Sequence, residues 1–376
     1  MKGNYENEQK HPQKNDTGAS TQSEESTLET MPTKSNHLLE VNELSVAFES
    51  DSSTVNALRD ISFSVNRGEI FGIVGESGSG KTVTARSVLG LLDDAAKITN
   101  GSIWYNGRDI TDLSSREYRK LRGNEISMVF QDPLSSLNSV LTIGSQVEEA
   151  VLGSDAWQNL PLGRLLARLV SRNNDTETEV VEILEQVGIP NPEGRLDNYP
   201  HEFSGGMRQR VMIAIAIAAE PDLLIVDEPT TALDVTTQAN ILKLLDRLRT
   251  ETEMTILIIS HNLGVVAQLA DRMAVLYAGE VMEVGPTKRV FKQTHHPYTN
   301  ELLKSLPQTV ENEEELYSIA GTVPSLKNVP DGCIFKDRCP KATEECHTDP
   351  PLRATGEHKH ACHHPITADE RYFNKS

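Results

Sequence analysis

Apolar and polar positions alternate in two early stretches, Leu39-Glu-Val-Asn-Glu-Leu-Ser-Val-Ala-Phe48 and Ile61-Ser-Phe-Ser-Val65. Alternation of this kind predicts half-buried strands. A third strand, Ser102-Ile-Trp-Tyr105, runs into Asn106-Gly107, a strong hairpin signal, and the three together predict an antiparallel layer. A second pattern consists of short continuous apolar runs at Ile70–Val74, Ile126–Phe130, Leu223–Val226, Ile256–Ile259 and Met273–Leu276. Between them lie helix-compatible segments such as Ala239–Arg249 and Leu263–Ala270. Strands covered on both faces need unbroken apolar runs, so this pattern predicts an α/β core with a mostly parallel sheet under helices. From about residue 133 to 220 the rhythm changes. Helical periodicity at Gly163–Ser171 and Glu177–Val187, punctuated by Pro190, Pro192 and Pro200, predicts an inserted helical subdomain.

The two ends read differently from this core, which spans residues 38–306. Residues 1–37 are polar and almost free of large apolar side chains, so they cannot offset the entropy of ordering and are expected to be a disordered tail. Residues 307–376 begin with the acidic run Glu311-Asn-Glu-Glu-Glu315, contain all the cysteines and read as a separate small module. The longest clean apolar run, Val211–Ala219, is far shorter than the roughly 20 residues that cross a bilayer. The N-terminus also lacks a basic start followed by an apolar stretch, so a cytosolic chain with at most a peripheral membrane role is expected. Acidic residues outnumber basic ones, 55 to 36, for a formal charge of −19, which argues against nucleic acid as a partner.

Residues Gly75-Glu76-Ser77-Gly78-Ser79-Gly80-Lys81-Thr82 stand between the run Ile70–Val74 and a helix-compatible stretch, the strand, loop, helix order of a phosphate-binding loop. Its glycines let successive N–H groups turn inward onto phosphate oxygens, and the helix that follows presents the positive end of its dipole to them. Lys81 adds a point charge, and Thr82 places a hydroxyl where Mg²⁺ bridging the terminal phosphates would take a hard oxygen. A nucleoside triphosphate is the expected ligand. The strand Leu223-Leu-Ile-Val-Asp227-Glu228 ends in two carboxylates at the sheet edge where open α/β sheets bind ligands. Asp227 is expected to support Mg²⁺, and Glu228 to activate an attacking water.

Between these motifs, Phe203-Ser204-Gly205-Gly206-Met207-Arg208-Gln209-Arg210 resembles the signature motif of ATP-binding cassette (ABC) transporter ATPases. Gln131 after the strand Ile126–Phe130, Asp234 in Thr231-Ala-Leu-Asp234, and His261 after Thr255–Ser260 stand where that family has its Q-loop, D-loop and switch histidine. The resemblance implies a P-loop ABC ATPase core binding ATP through Gly75–Thr82 and Val83. Mg²⁺ would be held by Thr82, Gln131 and Asp227, and catalysis carried by Glu228, His261 and Gln131. Phe48 is the candidate for stacking on adenine, with core packing as the alternative reading. The usual family signature is Leu-Ser-Gly-Gly-Gln; here Phe203 and Met207 stand at its ends. In the family each ATP lies between the glycine loop of one subunit and the signature of another, so Ser204, Gly205, Gly206 and Met207 would face a partner's ATP.

Within that family, Gln131-Asp-Pro-Leu-Ser-Ser-Leu-Asn138, the Met-containing signature, His296-Pro-Tyr-Thr299 and Gly321-Thr-Val-Pro-Ser-Leu326 are similar to the oligopeptide and dipeptide importer subunits. The resemblance implies a second cassette, identical or paralogous, two transmembrane permease subunits and an extracytoplasmic substrate-binding protein. The chain would sit peripherally on the cytoplasmic side of the cell membrane and power peptide uptake. Related systems that carry nickel or oligosaccharides are the alternative, since the ATPase does not touch the cargo. A soluble cassette protein acting on nucleic acid or in translation is a distant one, disfavoured by the single cassette and the acidic balance.

Cys333, Cys339, Cys346 and Cys362 follow a C-x5-C-x6-C-x15-C spacing. Four thiolates suit either tetrahedral Zn²⁺ or an iron–sulfur cluster, and the spacing matches neither the common zinc-finger pairs nor the ferredoxin run. Resemblance to peptide-importer tails, with Phe335-x-x-Arg338-Cys339-Pro340, implies a [4Fe–4S] cluster. His347, His360 and His363 could substitute in a zinc site or simply be solvated.

Overall fold

In the computed structural model of the chain, the alternating stretches become long strands. β1 (His37–Ser50) runs antiparallel between β2 (Ser53–Asn66) and β4 (Ala96–Tyr105). A hairpin through Asn106 and Gly107, both at positive φ (51° and 75°), joins β4 to β5 (Arg108–Asp109), the backbone that a primed two-residue turn requires. The alternation in β1 shifts phase at mid-strand. Leu39 and Val41 are buried, then Leu44 and Val46, because a bulge at Asn42–Glu43 inserts an extra residue and turns Glu43 to φ 49°. Gly101 lies against this bulge, where a Cβ would meet the Glu43 carbonyl oxygen at 2.3 Å.

The continuous apolar runs form the central sheet. Its parallel part has the order β9 (Arg272–Tyr277), β3 (Ile70–Val74), β8 (Thr255–Ser260), β7 (Leu223–Asp227), β6 (Ile126–Val129). Every residue of β3, β7 and β8 is buried, as strands covered on both faces must be. Successive side chains go to opposite sides. Ile70, Leu224, Val226, Ile256 and Ile258 pack with the helices Ile143–Val151, Asn174–Gln186, Gly205–Ile217 and Val235–Thr252. Phe71, Ile73, Leu223, Ile225, Leu257 and Ile259 pack under the antiparallel layer and the helix Lys81–Val88. Each such fully buried side chain contributes about 1.5–3 kcal/mol relative to exposure. The sheet is therefore the rigid platform for whatever its strand ends carry.

β10 (Glu280–Pro286) adds antiparallel to β9, followed by the helices Thr287–Lys292 and Pro297–Lys304. The C-terminal segment, expected to stand apart, instead extends the same sheet. Its hairpin β11 (Leu352–Thr355) and β12 (His358–Ala361) pairs onto β10, with Glu283 opposite His360 and Val284 opposite Lys359. The physical reason is the free edge of β10, whose unpaired backbone groups the hairpin covers.

The structure describes residues 36–50, 53–153, 174–231, 233–306, 318–327 and 329–372. The chain divides into two units, residues 1–35 and 36–376, and all described residues belong to the second. Of the expected disordered tail 1–37, residues 1–35 lie outside the described residues, as do the periodic segment Gly163–Ser171 and the acidic run Glu311–Glu315, whereas His37 already opens β1 opposite Asn66. Among the described residues no helix is long and apolar enough to cross a membrane.

Candidate nucleotide site

Parallel strands deliver their next residues to one edge of the sheet. Gly75 follows β3, Glu228 follows Asp227 at the end of β7, His261 follows Ser260 at the end of β8, and Phe130-Gln131 follow β6. Four motifs separated widely in the chain are thereby brought to neighbouring strand ends. The glycine loop leaves β3 with Gly75 pressed against its neighbour β9: a Cβ there would lie 2.1 Å from the Leu276 carbonyl oxygen. Gly78 (φ 77°) and Gly80 (φ 100°) adopt left-handed backbone, and Gly80 caps the helix Lys81–Val88. Ser77 and Gly78 form the exposed tip.

Lys81 is buried inside the loop, where its Nζ donates to the carbonyls of Gly75 (2.8 Å) and Glu76 (2.9 Å). Burial pulls its pKa down, opposed by the negative charges of Glu228, Asp227 and Glu76. Asp227 is buried as well, and burial raises its pKa against a hydrogen bond from Thr82 and the charge of Lys81. Its Oδ1 has no hydrogen-bond partner. A buried, unsatisfied carboxylate oxygen beside a threonine hydroxyl is the donor set that a hard divalent cation takes up.

Glu228 stands at φ 48°, with its backbone N–H held by the Ile259 carbonyl at 2.9 Å. Three groups converge on its carboxylate. Gln131 Nε2 donates to Oε2 (2.9 Å), as does the Thr231 hydroxyl (3.0 Å), and His261 Nδ1 lies 3.1 Å from Oε1. The Glu228 side chain is 15% exposed and that of His261 55%, so the carboxylate is fixed yet reachable from solvent. Thr231 has no motif role of its own; its place three residues after Glu228, on the same turn, is the sequence signal that brings its hydroxyl to the carboxylate.

The signature residues form a second grouping. Ser204 caps the helix Gly205–Ile217 by accepting the Met207 N–H at 3.3 Å, and Gly206 packs so closely on the next helix that a Cβ would meet Thr237 Cγ2 at 2.5 Å. Asp234 caps that next helix through Thr237 N–H (2.9 Å) and hydroxyl (2.7 Å), bonds that hold its carboxyl below the usual range. Ser204 and Asp234 are exposed. Among the described residues no hydrogen bond or ion pair joins Ser204–Met207 to Gly75–Thr82. Phe48 and Val83 are half-buried against the core of the antiparallel layer.

In the C-terminal part, Cys333, Cys346 and Cys362 are buried and Cys339 half-buried, none in a disulfide. A backbone bond from Cys333 N–H to the Cys346 carbonyl (2.9 Å) ties two of them together. Burial pushes the Cys333 thiol up to about 11 and the Cys362 thiol up to about 12, with the neighbouring cysteines adding to both. The only three metal-capable side chains with ligand atoms within 4.8 Å of one another, among the described residues, are Glu283, His295 and His358. That carboxylate is already saturated. It accepts the N–H groups of His295 (2.7 Å) and His296 (3.1 Å) and the Thr294 hydroxyl (3.1 Å), and lies 2.7 Å from His358 Nε2. Burial alone would raise its pKa, but bonds from His295 and His358 overcome this and hold it well below the carboxylate range. Glu283 acts as a clamp between β10, β12 and the turn before the helix Pro297–Lys304.

This arrangement has close counterparts. Residues 58–231 match the ABC transporter family model, and residues 282–346 match the model of the oligopeptide/dipeptide transporter C-terminal region. The chain is 48% identical over 310 residues to the dipeptide transport ATP-binding protein of Bacillus subtilis, covering 82% of this chain and 88% of that one. The chain belongs to the ABC transporter ATP-binding proteins. Within them it is similar to the Escherichia coli dipeptide transport ATP-binding protein (43% over 333 residues, 88% of this chain and 97% of the other). Among solved cassettes it is similar to MJ0796, seen as a dimer in a post-hydrolysis state bound to ADP and Pi. The TM-score is 0.56 at 26% identity, over 66% of this chain and 98% of that one. The cbiO1 protein of Clostridium perfringens, part of an ABC transporter complex, gives 0.57 at 30% identity, over 69% and 92%. The α/β cassette fold and ATPase activity expected from the motifs are those of this family.

Proposed function

We propose that this ABC ATPase hydrolyses ATP with Glu228 as general base and energises peptide import through a membrane permease. The observation that carries the catalytic reading is the convergence of Gln131, Thr231 and His261 on the Glu228 carboxylate, next to the buried Lys81 and Asp227. Lys81 and N–H groups of the loop other than that of Glu76, which Tyr298 takes, bind the phosphates, and Lys81 leaves the loop carbonyls for the phosphate oxygens as they arrive. Thr82, Asp227 and Gln131 would hold Mg²⁺, which when bound neutralises charge developing on the terminal phosphates. Glu228 takes a proton from the water that attacks the γ-phosphate, and ADP leaves. His261 and Gln131 aim the carboxylate and the water, while Phe48 offers an aromatic face for adenine. Replacing Glu228 by Gln tests this: turnover in the assembled transporter should fall by about 10²- to 10⁴-fold while ATP still binds. Wild-type turnover would refute the assignment.

The signature residues Ser204–Met207 and Asp234 face outward on this reading, toward the ATP of a second cassette. The partners are that cassette and two permease subunits, supplied by an extracytoplasmic binding protein, with this chain on the cytoplasmic face of the membrane. Peptide cargo is supported by relatives named for dipeptide transport and peptide import.

For the cysteine module we propose a [4Fe–4S] cluster held by Cys333, Cys339, Cys346 and Cys362. Four cysteines outside any disulfide, three buried and one half-buried, with the other three near enough to Cys362 to act on its thiol, are the donor set such a cluster would take. Iron and acid-labile sulfide after anaerobic purification decide it; stoichiometric zinc with neither would overturn the cluster.

A further inference from the structure

The segment Phe335-x-x-Arg338-Cys339 lies in the tail, and its structural place is at the glycine loop. The interval from Cys333 to Cys339 folds into a tight turn, with Lys336 N–H bonded to the Cys333 carbonyl (3.1 Å), Arg338 to Phe335 (3.0 Å) and Cys339 to Lys336 (3.2 Å). That turn drives Phe335, fully buried, between Tyr277 and Tyr298, both with ring centroids 5.2 Å away. It also aims Arg338 at Glu76, the second residue of the glycine loop. The guanidinium forks onto that carboxylate, Nη1 to Oε2 at 2.8 Å and Nη2 to Oε1 at 3.1 Å. It is fixed in turn by Tyr277 OH (3.2 Å) and the carbonyls of Ala320 (3.0 Å) and Ile319 (3.2 Å), and its side chain is only 6% exposed.

Glu76 is consequently held at every polar group. Its N–H donates to Tyr298 OH (3.0 Å), its carbonyl accepts Lys81 Nζ (2.9 Å), and its carboxylate takes the Arg338 fork. The charge matters as much as the geometry. A free carboxylate on a loop that must receive a triphosphate repels its own ligand, and a planar, fully charged guanidinium is the side chain best suited to cancel it. The cation comes from a residue 262 positions away, directly beside Cys339.

We infer that Arg338 is a positioning residue for ATP, and that through the Cys333–Cys339 turn the fold of the cysteine module sets the nucleotide affinity of the glycine loop. The inference rests on the ATPase reading; it holds whichever metal the cysteines carry, since it needs only that the cysteine side chains keep the turn in place. Ordering of the module presents Arg338 and closes the loop on Glu76. Loss of that order frees Glu76 and weakens ATP binding before it touches Glu228 chemistry.

The test uses the full chain with a fluorescent ATP analogue, and the transporter complex for steady-state KM and kcat. Arg338→Gln should raise Kd and KM for ATP by about 10- to 100-fold, as loss of a charged hydrogen-bonded partner does, with kcat changed no more than about threefold. Arg338→Lys, keeping the charge without the fork, should fall between the two. The double variant Glu76→Gln with Arg338→Gln should regain most of the lost affinity, because the uncompensated carboxylate is gone. A purely structural role for Arg338 would instead lower the melting temperature without this rescue or the KM-against-kcat split, and would overturn the inference. Cys339→Ser with Cys346→Ser should speed amide hydrogen exchange at residues 76–80 and raise Kd; exchange there unchanged from wild type would also overturn it. A wild-type chain that binds no ATP would indict the ATPase reading instead.

Discussion

The chain carries two helices that open on glycine- and serine-containing segments, Lys81–Val88 and Gly205–Ile217, and their starts are built in opposite ways. At the glycine loop, Lys81 and Asp227 are buried, Glu76 is bound by Arg338, and Glu228 collects three partners. At the signature, Ser204 is exposed and uses its side chain on its own helix, and the adjoining Asp234 and Val235 are exposed too, Val235 at 83%. One region has a buried cation and a carboxylate fixed by three partners; the other offers a serine hydroxyl and a helix start on an open surface. On the proposed reading, the chemistry of this chain resides in the first region, and the second would complete a site that belongs to another copy or paralogue.

That contrast can be broken from either side. The largest effect is expected on the catalytic side, where Glu228→Gln should cost the 10²- to 10⁴-fold in turnover of a general base and leave nucleotide-bound cassettes paired, read by size-exclusion with ATP. Next comes Gly75→Ala, whose Cβ would sit 2.1 Å from the Leu276 carbonyl oxygen. It should destabilise the fold by about 1–3 kcal/mol and abolish tight ATP binding. Gly78→Ala, which meets nothing within 4 Å, should cost only the left-handed backbone penalty, roughly 1–2 kcal/mol. Urea unfolding and nucleotide titration distinguish the two glycines.

Acid should act on the same region through its support. His296 accepts the Tyr298 N–H on Nδ1 at 3.0 Å, and burial, opposed by Glu283, lowers its pKa from 6.5 to about 4. Between those values the unfolded chain binds a proton that the folded chain does not. Stability is therefore lost as pH falls from 6.5 toward 4, by up to about 3 kcal/mol. His296→Gln should flatten that pH dependence of the urea midpoint; an unchanged slope would exclude His296 as its source. The smallest effect belongs to the signature: Ser204→Ala removes one helix cap, worth about 1 kcal/mol in thermal stability.

Much of the core was legible because its signals are local. Continuous apolar runs marked the buried strands, and motif residues placed directly after them landed at the same sheet edge by the geometry of parallel pairing. The hairpin at Asn106-Gly107 was equally plain. The bulge at Glu43 was hidden, since a one-residue phase slip looks like ordinary alternation. The tail hairpin was hidden for a different reason. β12 buries His358 and His360 where a strand pattern would show apolar residues, and their burial makes sense only beside Glu283 and His295, more than sixty positions away in sequence. Arg338 could be quoted as part of a motif, but its partner Glu76 lies beyond any local pattern.

The claim that each ATP site is shared between two chains is tested most directly by Ser204→Asp. Aspartate caps a helix as well as serine does, so the fold should hold, while its charge would face the phosphates of a partner's ATP. The isolated variant is expected to bind ATP with wild-type Kd, and the assembled transporter carrying it to lose at least about tenfold in turnover. Full turnover in the complex, or a loss of ATP affinity in the isolated chain, would contradict the shared site.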